Sequence, residues 1–347
     1  MKKIKILPII LALLLLLTAC GKKQEQKPQT DEQPVVETPK HDGFMNNLTG
    51  EYTLTDEAQT SLRPVAVSIN NEAPGRKVQT GLNQADIVYE TYIEGGATRL
   101  LAMFKDISKA GEIGTVRSAR YYFADIASSN DALYVHAGID GIYCEPHVKA
   151  KGLDNVNMLL GNYYNYANRQ KNGQALEHTL YTSGESISKM ISDKGIRSQV
   201  KDSHKNAWQN FNEQAKELPG GKCTNLSVKF SGYFKSDFVY DAENNYYVKQ
   251  NHNDYKTGEA VVTDNVVVLF TSVGLKPNNV SVEMALTSGE GYYFSKGTFQ
   301  KINWSKGDTF DSFKFTDENG KELAYNPGSS WVCITNKTLQ SSLVIGE

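Results

Sequence analysis

IVYETYIEGGATRLLAMF, residues 87–104, places two apolar runs on either side of a Gly-Gly pair. Glycine accepts the left-handed backbone that tight turns between antiparallel strands require, and the flanking residues are typical of strands. The segment therefore predicts a hairpin with strands at 87–93 and 98–104. Residues 65–69 and 133–137 are similarly apolar and predict two further strands in the same domain.

The hairpin also carries three ionic side chains, Glu90, Glu94 and Arg99. Successive side chains of a strand point to opposite faces, so Glu90 and Glu94 are predicted to share one face. Arg99 returns on the second strand to the same neighbourhood. The three groups either form a cross-strand ion pair on a solvated face or line one side of a site.

Two more arginines follow in the segment GTVRSAR, residues 114–120. Thr115 is a suitable N-cap, and the apolar spacing after it predicts a helix to about residue 128. Arg117 and Arg120 would then share one face of its first turns. Because the amino end of a helix attracts negative charge, two arginines there indicate an anionic partner. That partner is a glutamate of the hairpin, or a bound carboxylate, phosphate or sulfate.

The pattern of apolar residues divides the chain into two predicted domains. Residues 49–218 mix strand patterns with helical ones, including helices after Thr182 and across residues 208–218, and predict an α/β or α+β N-terminal domain. Residues 222–347 contain short alternating runs separated by turn residues, which predicts a smaller, mostly β C-terminal domain. A Pro-Gly-Gly stretch before residue 222 marks the boundary.

Two histidines and two asparagines complete the candidate site. His136 ends a predicted strand before a glycine-containing loop, and His178 lies just before a predicted helix. Sites are often built where strands end in loops. His147 and His178 have no partner at helical or hairpin ligand spacing, so no metal site is predicted. The candidate ligand-binding residues are Asn70, Asn71, Glu90, Glu94, Arg99, Arg117, Arg120, His136 and His178.

Residues 1–48 precede the predicted folded domains. A basic start, an apolar run and the ending Leu-Thr-Ala-Cys predict a signal peptide over residues 1–20 with the lipobox of a bacterial lipoprotein. Acyl chains such as palmitate on Cys20 would then anchor the protein on the outer face of the cytoplasmic membrane. Residues 21–48 are rich in Lys, Gln, Glu, Pro and Thr, which predicts a disordered tether.

Composition and missing motifs exclude several classes of protein. The formal net charge is −2, and no basic cluster follows the signal, so nucleic acid is not a predicted partner. The sequence has no glycine-rich nucleotide loop, no Walker-type loop and no Gly-x-Ser-x-Gly elbow, and no cofactor is predicted. Cys144, Cys223 and Cys333 form an odd set in an exported chain and are expected to be free, mostly buried thiols.

Four segments carry a resemblance to a known family: RPVAVSINN (63–71), QTGLNQADIVYE (79–90), EGGATR (94–99) and GTVRSAR (114–120). Together with the lipobox and the tether, they resemble the YerB-like family of bacterial lipoproteins over nearly the whole mature chain. The family is a domain of unknown function, so the resemblance implies an envelope lipoprotein but no activity, substrate or catalytic residue. Where this chain has Thr115, members of the family often have a proline.

The sequence leaves three functions open. The first is a lipid-anchored extracytoplasmic protein that binds an anionic ligand or wall polymer, such as a teichoic acid, through an Arg/Glu-lined cleft of the N-terminal domain. The alternative is an enzyme that processes envelope glycan or peptide, with Glu90 or Glu94 as acid or base and His136 or His178 assisting. In the third, the β-rich domain binds another envelope protein. Binding of an anion is the preferred hypothesis.

Overall fold

The predicted hairpin lies near the centre of a ten-stranded sheet in the computed structural model, which describes residues 41–347. Its strands, Ile87–Tyr92 and Thr98–Phe104, are buried along their whole length. Gly95 and Gly96 between them have φ values of 72° and 73°, which glycine adopts without a steric penalty. The local pattern of apolar residues around two glycines was therefore sufficient to predict this hairpin.

Strands and helices alternate in the N-terminal part of the chain. The strands are β1 (Val65–Asn70), β2 (Ile87–Tyr92), β3 (Thr98–Phe104), β4 (Glu112–Gly114), β5 (Leu133–His136), β6 (Asn155–Asn157), β7 (Asn168–Arg169) and β8 (Leu180–Ser183). The helices are α1 (Ala73–Arg76), α2 (Tyr121–Ser129), α3 (Cys144–Lys151) and α4 (Gly184–Asp193).

The C-terminal part is built mostly from strands. They are β9 (Asn225–Lys229), β10 (Lys235–Asp241), β11 (Tyr246–Asn253), β12 (Ala260–Thr263), β13 (Asn265–Thr271), β14 (Val273–Leu275), β15 (Val282–Met284), β16 (Ser288–Ser295), β17 (Thr298–Ser305), β18 (Lys314–Thr316), β19 (Ser330–Asn336) and β20 (Val344–Gly346). The predicted fold class, a mixed α/β domain followed by a mostly β domain, is confirmed.

One sheet runs through both parts of the chain. Its strand order is β18-β17-β16-β13-β19-β2-β3-β1-β5-β6, and the parallel pair of β19 with β2 joins the two parts. A second sheet, β12-β11-β10-β9-β20, belongs to the C-terminal part. Phe238 of β10 packs edge-on against Trp331 of β19 and brings the second sheet onto the first. The limits proposed for the two domains stay a prediction.

Strand direction determines where the loops of the N-terminal part meet. Strands β1, β5 and β6 are mutually parallel, as are β2, β19 and β13, and β3 pairs antiparallel with both β1 and β2. All six parallel-running strands therefore end at the same edge of the sheet. Ligands of open sheets with parallel strands commonly bind outside the carboxyl ends of the strands.

The helix predicted to begin after Gly114 is wrong in its first turns, because α2 begins only at Tyr121. Residues 115–120 are instead extended and lie across the carboxyl edge of the sheet. Their backbone groups bond to neighbouring strands and loops: Arg117 N–H donates to Ser68 O, and Ala119 N–H donates to Gly138 O. Partners from distant parts of the chain replace the bonds that a helical turn would have made.

The helix predicted across residues 208–218 is also wrong, because this segment has no regular helix. Trp208 packs against Phe315 and Tyr325, and the backbone N–H of Leu218 donates to the Thr298 hydroxyl. The apolar spacing thus reflects packing against the C-terminal part. The helix predicted after Thr182 is confirmed as α4, although Ser183 rather than Thr182 provides its N-cap.

Residues 41–347 form one compact unit with a continuous hydrophobic core. Leu48, at the end of the predicted tether, is 2 % exposed, so the folded unit begins before residue 49. The predicted signal peptide and the rest of the tether lie outside the described residues. Cys144, Cys223 and Cys333 are buried free thiols, as expected. No helix between residues 41 and 347 is long and apolar enough to cross a membrane.

Candidate anion-binding site

The carboxyl edge of the sheet brings most of the predicted ionic residues together. Asn70, the last residue of β1, lies opposite Arg99 of β3, and Glu72 follows two residues later. The extended segment 115–120 crosses the same edge and contributes Arg117 and Arg120. The arginines therefore lie near the hairpin, and a strand-like segment rather than a helix places them there.

Arg99 is the most unusual member of this group. Its side chain is only 3 % exposed, yet its nearest carboxylate oxygen, in Glu72, lies 3.9 Å from Nη2. Nη1 donates to Ser118 O at 2.9 Å, and Nε has no hydrogen-bond partner within residues 41–347. Burial and the neighbouring guanidinium groups of Arg120 and Arg117 lower the pKa of Arg99 to about 10. A buried guanidinium group with these contacts has both an unmet charge and an unmet donor.

Arg117 lies beside Arg99 and contacts the same glutamate. Its Nη2 atom is 2.7 Å from Glu72 Oε2, with side chains 18 % and 34 % exposed. The Nε of Arg117 is also buried and unpartnered in the described part of the chain. Burial raises the pKa of Glu72, but the hydrogen bond and charge of Arg117 outweigh it and hold that pKa below its ordinary value. One carboxylate therefore serves two arginines.

Arg120, in contrast, has an internal partner. Its Nε lies 3.0 and 2.9 Å from the two carboxylate oxygens of Glu94, and its Nη2 also donates to Glu94. Burial raises the pKa of Glu94, and the bonds to Arg120 more than offset it, so the pKa stays below its ordinary value. For Arg120, the anionic partner is therefore a glutamate of the hairpin, which is one of the two alternatives that the sequence left open. The three guanidinium groups of the cluster thus contact two carboxylate groups, those of Glu72 and Glu94.

Glu90 and Glu94 do not share a face, contrary to the prediction. Strand β2 ends at Tyr92, which puts Glu94 in the turn. Glu90 is 0 % exposed. It accepts hydrogen bonds from Asn71 Nδ2 at 2.8 Å, Thr98 Oγ1 at 2.9 Å, Ser236 Oγ at 2.7 Å and Trp331 Nε1 at 2.9 Å.

Lys249, which the sequence did not single out, is the charged partner of Glu90. Its Nζ is 3.5 Å from Glu90 Oε2 and 2.6 Å from Ser236 Oγ, and its side chain is 2 % exposed. Burial raises the pKa of Glu90, but the Lys249 charge and the hydrogen bonds hold it below its ordinary value. Alternation on β11 was the available signal, because Lys249 shares a face with the buried Tyr247.

A second unpredicted group, His252 and Gln79, continues this buried polar cluster. His252 Nε2 contacts Gln79 Oε1, and Gln79 Nε2 donates to Asn70 O. Burial, with the charges of Lys249 and Arg76, lowers the pKa of His252 well below its ordinary value, so the imidazole is neutral. The cluster links the carboxyl edge of the large sheet to the second sheet.

The structure separates the two predicted histidines. Nδ1 of His178 is 2.5 Å from Asn70 Nδ2, and burial followed by the Arg117 charge lowers its pKa, so His178 borders the arginine cluster. His136 contacts Gly138 O at 2.8 Å and Asn155 Oδ1 at 2.9 Å instead. Both ring nitrogens of His136 thus contact polar groups, one in the loop after β5 and one on β6, which corresponds to a structural role.

The arginine cluster is partly buried and lines neither of two cavities in the folded unit. These cavities, of about 1110 and 470 Å³, are lined by other residues, including Phe310 and Tyr325 in the first and Leu62 and Ile196 in the second. No group of three or more His, Cys, Asp or Glu side chains within residues 41–347 is arranged to hold a metal ion. Cys20, the predicted lipidation site, lies outside the described residues.

Comparisons with known proteins match most of the chain. Residues 48–197 match the N-terminal domain model, and residues 226–332 the C-terminal domain model, of a protein family of unknown function (DUF3048). The protein named "Putative lipoprotein YerB" from Bacillus subtilis (strain 168) is 27% identical over 303 residues, which cover 84% of this chain and 87% of the relative. A crystal structure of YerB from Bacillus subtilis matches with a TM-score of 0.73 and 25% identity, covering 88% of this chain and 100% of that one.

Proposed function

Because the chain belongs to the DUF3048 family and its Bacillus subtilis relative is named as a putative lipoprotein, we propose that the chain is a lipid-anchored envelope protein. In this proposal, the protein binds an anionic group through Arg99 and Arg117. In this proposal Cys20 carries acyl chains such as palmitate and holds the protein on the outer face of the cytoplasmic membrane. The lipobox sequence around Cys20 and the name of the relative, a putative lipoprotein, support the anchor.

The environment of Arg99 is the observation that supports anion binding most strongly. A guanidinium group taken out of water at 3 % exposure requires a close negative partner, and its nearest carboxylate is 3.9 Å away and already bound to Arg117. Two Nε–H donors, of Arg99 and Arg117, have no acceptor within residues 41–347. An anion placed against these donors would complete both sets of hydrogen bonds.

The donor geometry favours a carboxylate or a phosphate. The planar guanidinium fork matches two oxygens of either group, and charge-assisted bonds of this kind are roughly twice as strong as neutral ones. Polymers of the bacterial wall carry these groups, and a teichoic acid or a peptidoglycan fragment is therefore the class of ligand that we propose.

The geometry supports binding more than catalysis. Glu90, a proposed acid or base, is 0 % exposed and accepts hydrogen bonds from several donors, and Glu94 is occupied by Arg120. Both carboxyl groups have pKa values held below the ordinary value, although a general acid would need a raised one. His136 contacts a loop carbonyl and a side chain of β6.

Binding of purified wall teichoic acid to residues 41–347 tests the proposal. Arg117→Gln removes an accessible guanidinium group and is expected to weaken binding roughly tenfold, because a hydrogen bond to a charged group contributes about 1.5–3 kcal/mol. Arg99→Gln should weaken it at least as much. Arg197→Gln, which alters an arginine paired with Asp131, is the matched control and should bind like the wild type.

Thermal unfolding of each variant shows whether it remains folded. Equal binding by wild type, Arg117→Gln and Arg99→Gln would contradict the proposal. So would binding that does not weaken with added salt, since exposed charge interactions are screened by ions.

A further inference from the structure

The smaller of the two cavities, of about 470 Å³, shares no residue with the arginine cluster and has a largely apolar wall. Its apolar wall residues are Leu62, Val65, Ile107, Leu133, Ile191 and Ile196. Pockets that bind small molecules measure roughly 300–1,000 Å³ and have apolar walls with a few polar groups. The size and the wall of this cavity therefore match those of a ligand pocket.

Backbone contacts place the apolar residues of the wall beside one another. The N–H of Ile196 donates to Ile191 O at 3.0 Å, where helix α4 ends. Leu62 forms a bridge with Gln199, so it lies next to the turn that contains Ile196. Leu62, Ile191 and Ile196 are all partly exposed. Neighbouring apolar side chains that remain in contact with water commonly mark a binding region.

Lys105 is a buried cation in the wall of the same cavity. It follows directly after β3 and is 1 % exposed. Its Nζ atom donates to Thr60 O at 2.8 Å and to Leu62 O at 2.9 Å. An ammonium group has three N–H donors, so one of them has no acceptor within residues 41–347. Burial lowers the pKa of Lys105 to about 8, and the charge of Asp86 offsets only part of that effect.

The two arginines of the cavity wall, in contrast, have carboxylate partners. Arg63 Nη2 lies 2.7 Å from Asp154 Oδ2. Arg197 Nη2 lies 2.6 Å from Asp131 Oδ1, and its Nη1 atom donates to Asp131 Oδ2 at 2.7 Å. Each pair offsets its own charge. Among the cations that line the cavity, Lys105 is therefore the one without an ion-pair partner in the described part of the chain.

Asp106 is the carboxylate of the cavity wall, and its charge is offset by its neighbours. Lys109 Nζ lies 3.8 Å from Asp106 Oδ2, and Gln59 Nε2 donates to the same oxygen at 2.9 Å. The backbone N–H and the hydroxyl of Ser108 both donate to Oδ1, at 3.2 and 2.6 Å. Both oxygens of Asp106 are thus engaged outside the ammonium group of Lys105.

Ser188 adds a hydroxyl group without a partner to this wall. It lies on α4, and its Oγ atom is buried and has no hydrogen-bond partner within residues 41–347. Buried polar groups ordinarily have at least one partner. The cavity therefore has two unmet polar groups, the third N–H donor of Lys105 and the Ser188 hydroxyl, in an otherwise largely apolar wall.

We propose that this cavity binds a small carboxylate with an apolar body, held at its head by Lys105 and along its body by Leu62, Ile191 and Ile196. The site is separate from the anion site at Arg99 and Arg117 and does not depend on it. One ammonium group matches the single charge of a carboxylate better than the charge of about −2 of a phosphate monoester. A neutral apolar molecule would leave the buried cation unpaired.

Calorimetric titration of residues 41–347 with hexanoate, hexanamide and acetate tests the inference. Hexanamide has the same apolar body without the charge, and acetate has the charge without the body. We expect hexanoate to bind roughly tenfold or more tighter than acetate, because each buried methylene contributes roughly fourfold and burial of two suffices. Hexanamide should bind roughly tenfold more weakly than hexanoate, since hydrogen bonds between charged groups are about twice as strong as neutral ones.

Methyl NMR locates the bound hexanoate. The signals of Ile191 and Ile196 should shift during the titration. Ile142, which is 67 % exposed and not part of the cavity wall, is the internal control and should not shift. Ile191→Ala should weaken hexanoate binding roughly fivefold or more through lost apolar contact, and Ile142→Ala should leave it unchanged.

Two measurements test the role of Lys105. Lys105→Met should remove the preference for hexanoate over hexanamide, and Lys189→Met, at an exposed lysine of α4 paired with Asp193, is the matched control. Thermal unfolding shows whether each variant is folded. In the wild type, the affinity for hexanoate should fall as pH rises past about 8, where Lys105 loses its proton, and the affinity for hexanamide should not. The pH measurement decides even if Lys105→Met does not fold.

The outcomes separate the inference from its alternatives. Hexanoate that binds more tightly than both other probes and shifts the signals of Ile191 and Ile196 supports it. Equal affinities for hexanoate and hexanamide overturn it, and so does an affinity for hexanoate that does not change past about pH 8. Failure of hexanoate to bind, or binding that leaves the Ile191 and Ile196 signals in place, also overturns it.

Discussion

Replacing Lys249 with methionine would remove the cation from a carboxylate that solvent does not reach. Glu90 is 0 % exposed, and Lys249 Nζ lies 3.5 Å from its Oε2 atom. Methionine fills much of the same volume but leaves the Glu90 charge buried. Breaking a buried ion pair typically costs about 3–5 kcal/mol. Because Asn71, Thr98 and Trp331 still donate to Glu90, we expect a loss of unfolding free energy at the lower end, about 3 kcal/mol at neutral pH.

The loss should depend on pH with a defined sign. In the wild type, burial raises the pKa of Glu90, and Lys249 and the hydrogen bonds bring it below the ordinary value. The ionised form therefore stabilises the fold above the ordinary pKa, and this contribution is lost as pH falls through the lowered pKa. Without Lys249, burial raises the pKa and the folded state takes up a proton. The deficit of Lys249→Met should then shrink from neutral to mildly acidic pH.

Urea unfolding at neutral and mildly acidic pH measures the unfolding free energy of each variant and tests this prediction. Lys235→Met is the matched control, because Lys235 is a neighbour on the same sheet whose exposed pair with Asp237 is expected to contribute about 0–1 kcal/mol. Adding Glu90→Gln to Lys249→Met removes both charges and should recover part of the lost stability. A loss for Lys249→Met no larger than that of the control, or the same at both pH values, would refute the reasoning.

Three further predictions concern the core, the anchor and the turn. Leu101→Ala, at a position 0 % exposed on β3, should lower the unfolding free energy by about 2–5 kcal/mol in urea, and a smaller loss would contradict the buried position of β3. Cys20→Ala should abolish palmitate labelling and move the protein from the membrane to the soluble fraction, and retention of the label would place acylation elsewhere. Arg120→Ala should raise the pKa of Glu94, measured by NMR titration, because burial raises that pKa and the hydrogen bond and charge of Arg120 are the largest influences that lower it. An unchanged pKa would show that the pair does not form.

The apolar runs and two glycines predicted the hairpin. Contacts with residues distant in the sequence determined most of the features that the sequence did not predict. Strands β2 and β3 follow from two apolar runs and two glycines whose positive φ values close the turn. The segment 115–120 has a helical pattern, but Ser68 and Gly138 supply its backbone partners, so it is extended. Such partners leave no local trace in the sequence.

The candidate site shows the same division. Charge and turn position were enough to select Arg99, Arg117, Arg120 and Glu94. Glu72 was missed because it lies in an irregular segment without periodicity. Lys249 contacts Glu90 across 159 positions of the chain, and only the joining of two sheets brings it there.

The Nε–H resonances of the arginines report on anion binding directly. In a titration of residues 41–347 with methyl phosphate, we expect the NMR signals of Arg99 and Arg117 to shift, since their Nε–H donors have no acceptor within the described residues. The signal of Arg120, which donates to Glu94, should shift little, and that of Arg197 should remain unchanged. Absence of a shift at Arg99 and Arg117, or equal shifts at all four arginines, would contradict an anion site at the carboxyl edge of the sheet.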